Sequence, residues 1–392
     1  MMKTDLVVVI GLGGMGSAAL ASLARRGARV MGLDARRLPH DQGSSHGGSR
    51  VARTAYYEHP EYVPLARASF DGWDRLEQET GHRCLHRSGV LLAGSAESAI
   101  LRASLESARA HDVPTRWLDP DGLRATFPAF RFEPGFHALL EPDAGFVVPE
   151  TAIEAHLAVA RRHGASIRTE VEVQAVEGDD DGVEIRLNNE TITASRVVVT
   201  AGSWTSRLLP DLAAAASLRP QRKIMVWCRP RDRFRDACSD RRMPAWLIDD
   251  DGRFGPGVYY GVPTSPHQVG PGGMKFGFHG PGLDVDPREF DRRPPPEVVS
   301  RFAREVATYL PGVFEPPHAA KACLYTMSGD EHFVIDRIPD RQAIVVAAGL
   351  SGHGFKFAPA IGDLLASLAL DRARPEGTGF FSLDRFKFPS GS

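Results

Sequence analysis

The 392-residue chain reads as an α/β protein of two lobes, an α+β arrangement with one doubly wound parallel sheet and one mainly antiparallel sheet. Three observations predict this. Residues 5–34 form a strand–glycine loop–helix–strand unit. Two further apolar strands, Arg196–Thr200 and Ala343–Ala348, also run straight into glycine loops, at Gly202 and Gly349. Between them lies a mixed region of short strands with acidic, Pro-rich and Arg-rich turns, which suits antiparallel pairing. Strands of an open α/β sheet present their carboxyl ends to one ligand, so the three glycine loops are expected side by side.

Each element has its own signal. Asp5–Ile10 carries Leu-Val-Val-Val-Ile without alternation, the pattern of a strand buried on both faces. Ser17–Arg26 has helical apolar spacing and stops at Gly27, and Ala28–Leu33 returns as a second strand ending at Asp34. That is one right-handed β-α-β unit. Pro39–His59 shows no apolar periodicity, and a helix follows at Tyr62–Thr80. Val90–Gly94 reads as a strand, Glu97–His111 and Asp119–Phe127 as helices, and 151–163 as another helix. Strands are expected at 165–176 and 182–187 around the acidic turn Gly178–Gly182, and at Val258–Val262 and Lys275–Phe278. A helix over Pro359–Leu370 closes the pattern.

Composition narrows the function. Hydrophobic residues make up 42%, ample for a large core. The 47 basic and 49 acidic residues leave a formal charge of -2, which argues for a small-molecule partner over nucleic acid or an anionic membrane. Cys84, Cys228, Cys238 and Cys323 are widely spaced, without CxxC or Cys/His clustering. This excludes a disulfide scaffold and a standard zinc site, so no metal is expected, and it suits the cytoplasm. Lys3 precedes an apolar run as in a signal peptide, but Asp5 and the early glycines break that pattern. No stretch reaches the ~18 apolar residues of a membrane span.

Gly11-Leu-Gly13-Gly-Met-Gly16 follows a strand and opens a helix. The glycines permit a tight turn, close approach of a pyrophosphate and close helix–strand packing, while the helix N-terminus offers free N–H groups. Asp34, 18 residues after Gly16, is placed to accept hydrogen bonds from a ribose diol. This Rossmann-type pattern does not choose between NAD and FAD.

Gly43-Ser-Ser-His46-Gly-Gly-Ser-Arg50-Val-Ala-Arg53, then Tyr62-Val-Pro-Leu, resembles the flavin loop of the monomeric sarcosine oxidase and N-methyltryptophan oxidase family. Cys323-Leu-Tyr325-Thr-Met-Ser-Gly-Asp330-Glu331 resembles the family's cysteine segment, and Gly349-Leu-Ser-Gly352-His353-Gly354-Phe-Lys356 its C-terminal flavin loop. The likeness is traced over about 1–70 and 255–370. It implies FAD as the cofactor, attached covalently through Cys323. It implies a discontinuous FAD-binding domain of residues 1–81, 150–217 and 320–392, and a substrate domain of residues 82–149 and 218–319.

The same resemblance implies the site. Gly11, Gly13, Gly16, Asp34, Ser44, His46, Gly202, Cys323, Gly352, His353 and Gly354 hold the cofactor, with Lys356 reaching both cofactor and substrate. Arg53 and Lys356 grip a substrate carboxylate, chemistry that suits a planar guanidinium fork beside a point charge. Arg50 and Lys275 stand at the flavin's reactive face, where a fixed cation favours the reaction of reduced flavin with O2. Tyr260, His279 and Tyr325 line the substrate cavity. The residues taken alone leave blander readings open: a solvent-facing loop Arg53, a surface Lys356, a Lys275 on the exposed side of its strand, and a buried structural Cys323. At Gly48 the family more often has an acidic residue, and Ser49 replaces a commoner threonine.

The implied activity is oxidation of the C–N bond of a secondary amine, an N-methyl or cyclic amino acid, to an imine, with O2 reduced to hydrogen peroxide by a monomeric enzyme. No strong general base is required, and no buried carboxylate is evident at the site. Three rivals remain at this stage: an NAD(P)-dependent dehydrogenase, an FAD-binding sensor without turnover, and a biosynthetic oxidase of a larger or carrier-bound amine.

Overall fold

The computed structural model describes residues 5–370 and 373–387; Lys3, which raised the signal-peptide question, lies outside them. The three glycine-loop strands are neighbours in one six-stranded sheet. Val7–Ile10 pairs in parallel with Arg196–Val199 on one side and Val30–Leu33 on the other, and Arg196–Val199 pairs in parallel with Arg341–Ala348. Ser166–Arg168 extends the parallel set, and Val334–Ile338 adds one antiparallel edge. Every residue of Val7–Ile10 is buried, as its unbroken apolar run requires.

The first helix spans Gly14–Arg25, three residues earlier than its apolar spacing indicated, because the glycine loop itself forms the first turn. Gly16 sits there because a Cβ would collide with the backbone carbonyl of Gly11. The helix packs against Pro149–Arg162 and Ala358–Leu370. The expected strand 165–176 is two strands, Ser166–Arg168 in the parallel sheet and Val173–Gly178 in a three-stranded antiparallel one. The break is Glu170, whose left-handed φ of 61° ends extended pairing.

The second large sheet has nine strands, antiparallel except where Val90–Ser95 runs parallel to Ala245–Ile248. Its two longest strands, Arg219–Cys228 and Ala319–Met327, pair over nine positions, from Arg219 with Met327 to Trp227 with Ala319. Neither announced itself in the sequence, since charged residues and Pro220 interrupt the first and small residues dilute the second. Pairing of Ala319–Met327 brings the cysteine segment from the sequence neighbourhood of the cofactor loops into the antiparallel sheet. A small sheet of Arg50–Ala52, Leu85–His86 and Gly145–Val147 pins the end of the aperiodic loop between the two large sheets. No helix of the described residues is long and apolar enough to cross a membrane.

Candidate active site

A cavity follows the carboxyl ends of the parallel strands. It runs from Asp34 and Arg36, past Gly11, Gly13 and Gly14, along Ser44 and Gly202, to Tyr325, Gly352 and Gly354. Asp34 turns its carboxylate into the loop: Leu12 N donates to Oδ2 at 2.8 Å and Arg36 N to Oδ1 at 2.8 Å. Ser45, one residue past the expected Ser44, accepts from Gly14 N at 3.1 Å. The long shape, the helix N-terminus at its middle and the carboxylate at one end suit a dinucleotide. Beside it, both ring nitrogens of buried His46 lack a hydrogen-bond partner. Burial, then the Arg50 charge, drop this imidazole to about 3, so it is neutral and has donor and acceptor capacity to offer a flavin. The residues present fit FAD.

A second, smaller cavity adjoins the first, and Arg50, Tyr325, Gly352 and Phe355 line both. Around it the fold gathers Arg53 from the loop after Arg50–Ala52, Tyr260 and His279 from two strands, and His353 and Lys356 from the C-terminal glycine loop and its following turn. Six expected active-site residues therefore meet in one small volume: Arg50, Arg53, Tyr260, His279, Tyr325 and Lys356. The solvent-facing readings fall, since Arg53, Lys275 and Lys356 are 4%, 1% and 7% exposed.

Four expected residues line neither cavity: Gly16, packed against Gly11, and Lys275, Cys323 and His46, which stand behind this wall. Arg50 connects two of them to it. Its guanidinium donates to Ser44 O at 2.6 Å and Ser49 O at 2.8 Å, and lies 3.5 Å from the Cys323 sulfur. Lys275 donates to Gly47 O at 3.1 Å and to Ser49 O. Burial, reinforced by Arg50, pushes the Lys275 ammonium well below the usual lysine range.

At the far end of this pocket, Arg53 donates to Ala55 O at 2.6 Å and pairs with Glu58 at 2.6 Å. Burial alone would raise the Glu58 carboxyl, but the Arg53 charge overrides it and holds it at about 2. Lys356 donates to Tyr56 Oη at 2.8 Å and to His353 O at 2.6 Å. Tyr56 in turn hydrogen-bonds His353 Nδ1 at 2.8 Å. Burial, then repulsion by Arg53, bring Lys356 down to about 7, with Glu58 opposing. Burial also lowers His279 to about 4, so it is neutral, and raises Tyr260 to about 12.

Glu58 qualifies one expectation: a half-buried carboxylate, paired with Arg53, does line the site. Tyr57, Leu247 and Phe355 also line it and were not anticipated. The departure at Gly48 has a structural answer too. Its N–H and that of Gly47 donate to Glu150, at 3.1 and 2.7 Å, so another element supplies the carboxylate. Gly48 itself has φ 74°, and a Cβ there would strike the Val269 carbonyl of the covering loop.

This geometry defines a dinucleotide-dependent oxidoreductase with a small pocket, lined by Arg50, Arg53 and Lys356, at the end of its cofactor cleft. The chain belongs to the FAD dependent oxidoreductase family, whose model matches residues 7–368. It is 37% identical over 384 residues to a monomeric sarcosine oxidase of Streptomyces avermitilis, covering 97% of each chain. It is 33% identical over 393 residues to the N-methyl-L-tryptophan oxidase of Yersinia pestis, covering 98% of this chain and 100% of that one. Its fold is that of NikD, an amino acid oxidase of nikkomycin biosynthesis (TM-score 0.83, 22% identity, 97% of this chain and 98% of that one). It also matches a glycine oxidase from Geobacillus kaustophilus (TM-score 0.80, 22% identity, 97% and 99%).

Proposed function

We propose that the protein is an FAD-dependent oxidase of secondary amino acids. In the proposed reaction R–NH–CH3 and O2 give R–N=CH2 and hydrogen peroxide, and water then yields R–NH2 and formaldehyde; a cyclic amino acid stops at its ring imine. The observation that carries this reading is the pairing of two buried cations, Arg53 and Lys356, in a pocket that opens on the cofactor cavity. Bound FAD supplies the two-electron acceptor. The chain does the rest. Arg53 and Lys356 hold the substrate carboxylate, and their charges, with that of Arg50, favour the neutral amine that oxidation requires. Tyr260, His279 and Tyr325 shape the walls and exclude water, while Arg50 provides the fixed positive field for O2 reduction, to which Lys275 adds when protonated. His46, Ser44, Gly202, Gly352, His353 and Gly354 position the flavin.

Gly11, Gly13, Gly16 and Asp34 hold the dinucleotide in this reading, and Cys323 carries a covalent bond to the flavin ring. We assign 1–81, 150–217 and 320–392 to FAD and 82–149 and 218–319 to the substrate, with Ala319–Met327 as the seam. We place the enzyme in the cytoplasm as a monomer, on its four buried thiols and its likeness to monomeric sarcosine oxidases.

The test is the absorption spectrum of the purified protein before and after acid precipitation. Flavin colour retained by the washed pellet, and lost from it in Cys323→Ala, is the expected result. Colour released to the supernatant removes the covalent bond. A colourless protein that takes up no added FAD refutes the whole reading.

A further inference from the structure

The Arg53 guanidinium lies between two aromatic rings, 4.2 Å from the centroid of Tyr56 and 4.2 Å from that of Tyr57. The two tyrosines differ in what else they do. Tyr56 is fully buried and spends its hydroxyl on Lys356 and His353. Tyr57 is half-buried and presents itself to the substrate cavity, together with Leu247, Val51 and Phe355. Its ring cannot swing aside cheaply, because the guanidinium it covers is fixed by Glu58 and by the Ala55 carbonyl.

The room left is small. The cavity measures ≈ 70 Å³, room for roughly five to seven waters at about 10–15 Å³ each. A compact amino acid such as N-methylglycine suits this space better than one that carries an indole. A flavin filling the adjoining cavity does not enlarge it. With the carboxylate at Arg53 and Lys356, as proposed above, a substituent on the α-carbon would share this space with the Tyr57 ring.

We propose that Tyr57 sets the upper size limit of the substrate, so that the enzyme takes compact secondary amino acids, with α-substituents no larger than a methyl group or a small ring. This rests on the function proposed above. The experiment measures kcat/KM by peroxide release for N-methylglycine, N-methyl-L-alanine, N-methyl-L-leucine and N-methyl-L-tryptophan. Flavin-loaded wild type, Tyr57→Ala and Tyr57→Phe are compared, and acetate and indole-3-acetate binding is followed through the flavin spectrum.

Wild type is expected to favour N-methylglycine over N-methyl-L-leucine by about tenfold or more, and Tyr57→Ala to shift that ratio toward leucine by about tenfold or more. Tyr57→Phe should keep the wild-type profile, and only Tyr57→Ala should gain affinity for indole-3-acetate relative to acetate. If Tyr57→Ala fails to retain flavin, Tyr57→Val carries the same comparison. Wild type turning over the tryptophan derivative as well as N-methylglycine overturns the proposal. So does an unchanged ratio in a Tyr57 variant with normal flavin and acetate binding. Failure of the underlying function looks different: no amine of any size releases peroxide from any of the proteins.

Discussion

Lys356 shows how one residue is tuned by what surrounds it. Three of its neighbours, Arg53, Tyr56 and Glu58, come from one short stretch far from it in the chain; burial and the Arg53 charge bring its ammonium to about 7, against the opposing pull of Glu58. In the empty pocket it is therefore charged below that pH and neutral above it, whereas Arg53 stays charged throughout. A carboxylate prefers the charged form, so KM for a carboxylate substrate should rise as the pH climbs through about 7. Lys356→Met should raise KM at low pH by roughly ten- to hundredfold, the worth of a charged hydrogen bond, and flatten the profile. Stability should run the other way. The unfolded lysine titrates near ~10.4, so between about 7 and that value the unfolded chain holds more protons and stability increases with pH. Thermal unfolding of wild type against Lys356→Met, across that range, isolates this increment. A pH-independent KM in wild type, with Lys356→Met unaltered, would assign the carboxylate to Arg53 alone.

At the scale of elements, the glycine loops were legible because they combine two strong local signals, an unalternating apolar strand and a glycine that no other residue replaces. The helix expected at about Tyr62–Thr80 spans those residues. What escaped were segments whose structure depends on distant partners. Arg219–Cys228 and Ala319–Met327 become strands through pairing with each other, about a hundred residues apart in the chain. Tyr57 and Glu58 sit in the aperiodic stretch after Arg53, where nothing local marks a site. Only the fold, which ties this stretch through the Thr54 and Ala55 N–H groups to buried Glu141, turns them inward. Gly48 is the sharpest case at this scale. Its φ of 74° and its approach to Val269 fix the flavin loop against the covering loop, so Gly48→Ala should cost about 1–3 kcal/mol. Differential scanning calorimetry should show the lowered melting temperature, together with weaker flavin retention. An unchanged melting temperature would mean the covering loop yields freely.

For the whole molecule, the arrangement of two sheets matters more than either sheet alone. The parallel sheet brings three loops to one cofactor cavity, and the nine-stranded sheet walls the adjoining pocket with Leu247, Tyr260, His279 and Tyr325. Arg50 lines both cavities and hydrogen-bonds the loop between them. In the proposed reading, a carboxylate held at Arg53 and Lys356 places the amine against the cofactor. The most direct measurement is anaerobic addition of N-methylglycine to the flavin-loaded protein, followed by admission of air. The account requires loss of the visible flavin absorbance, its return in air with stoichiometric peroxide, and a much weaker response to dimethylamine, which lacks the carboxylate. Flavin that stays oxidised with N-methylglycine and with other compact secondary amino acids, or bleaches equally well with dimethylamine, would contradict it.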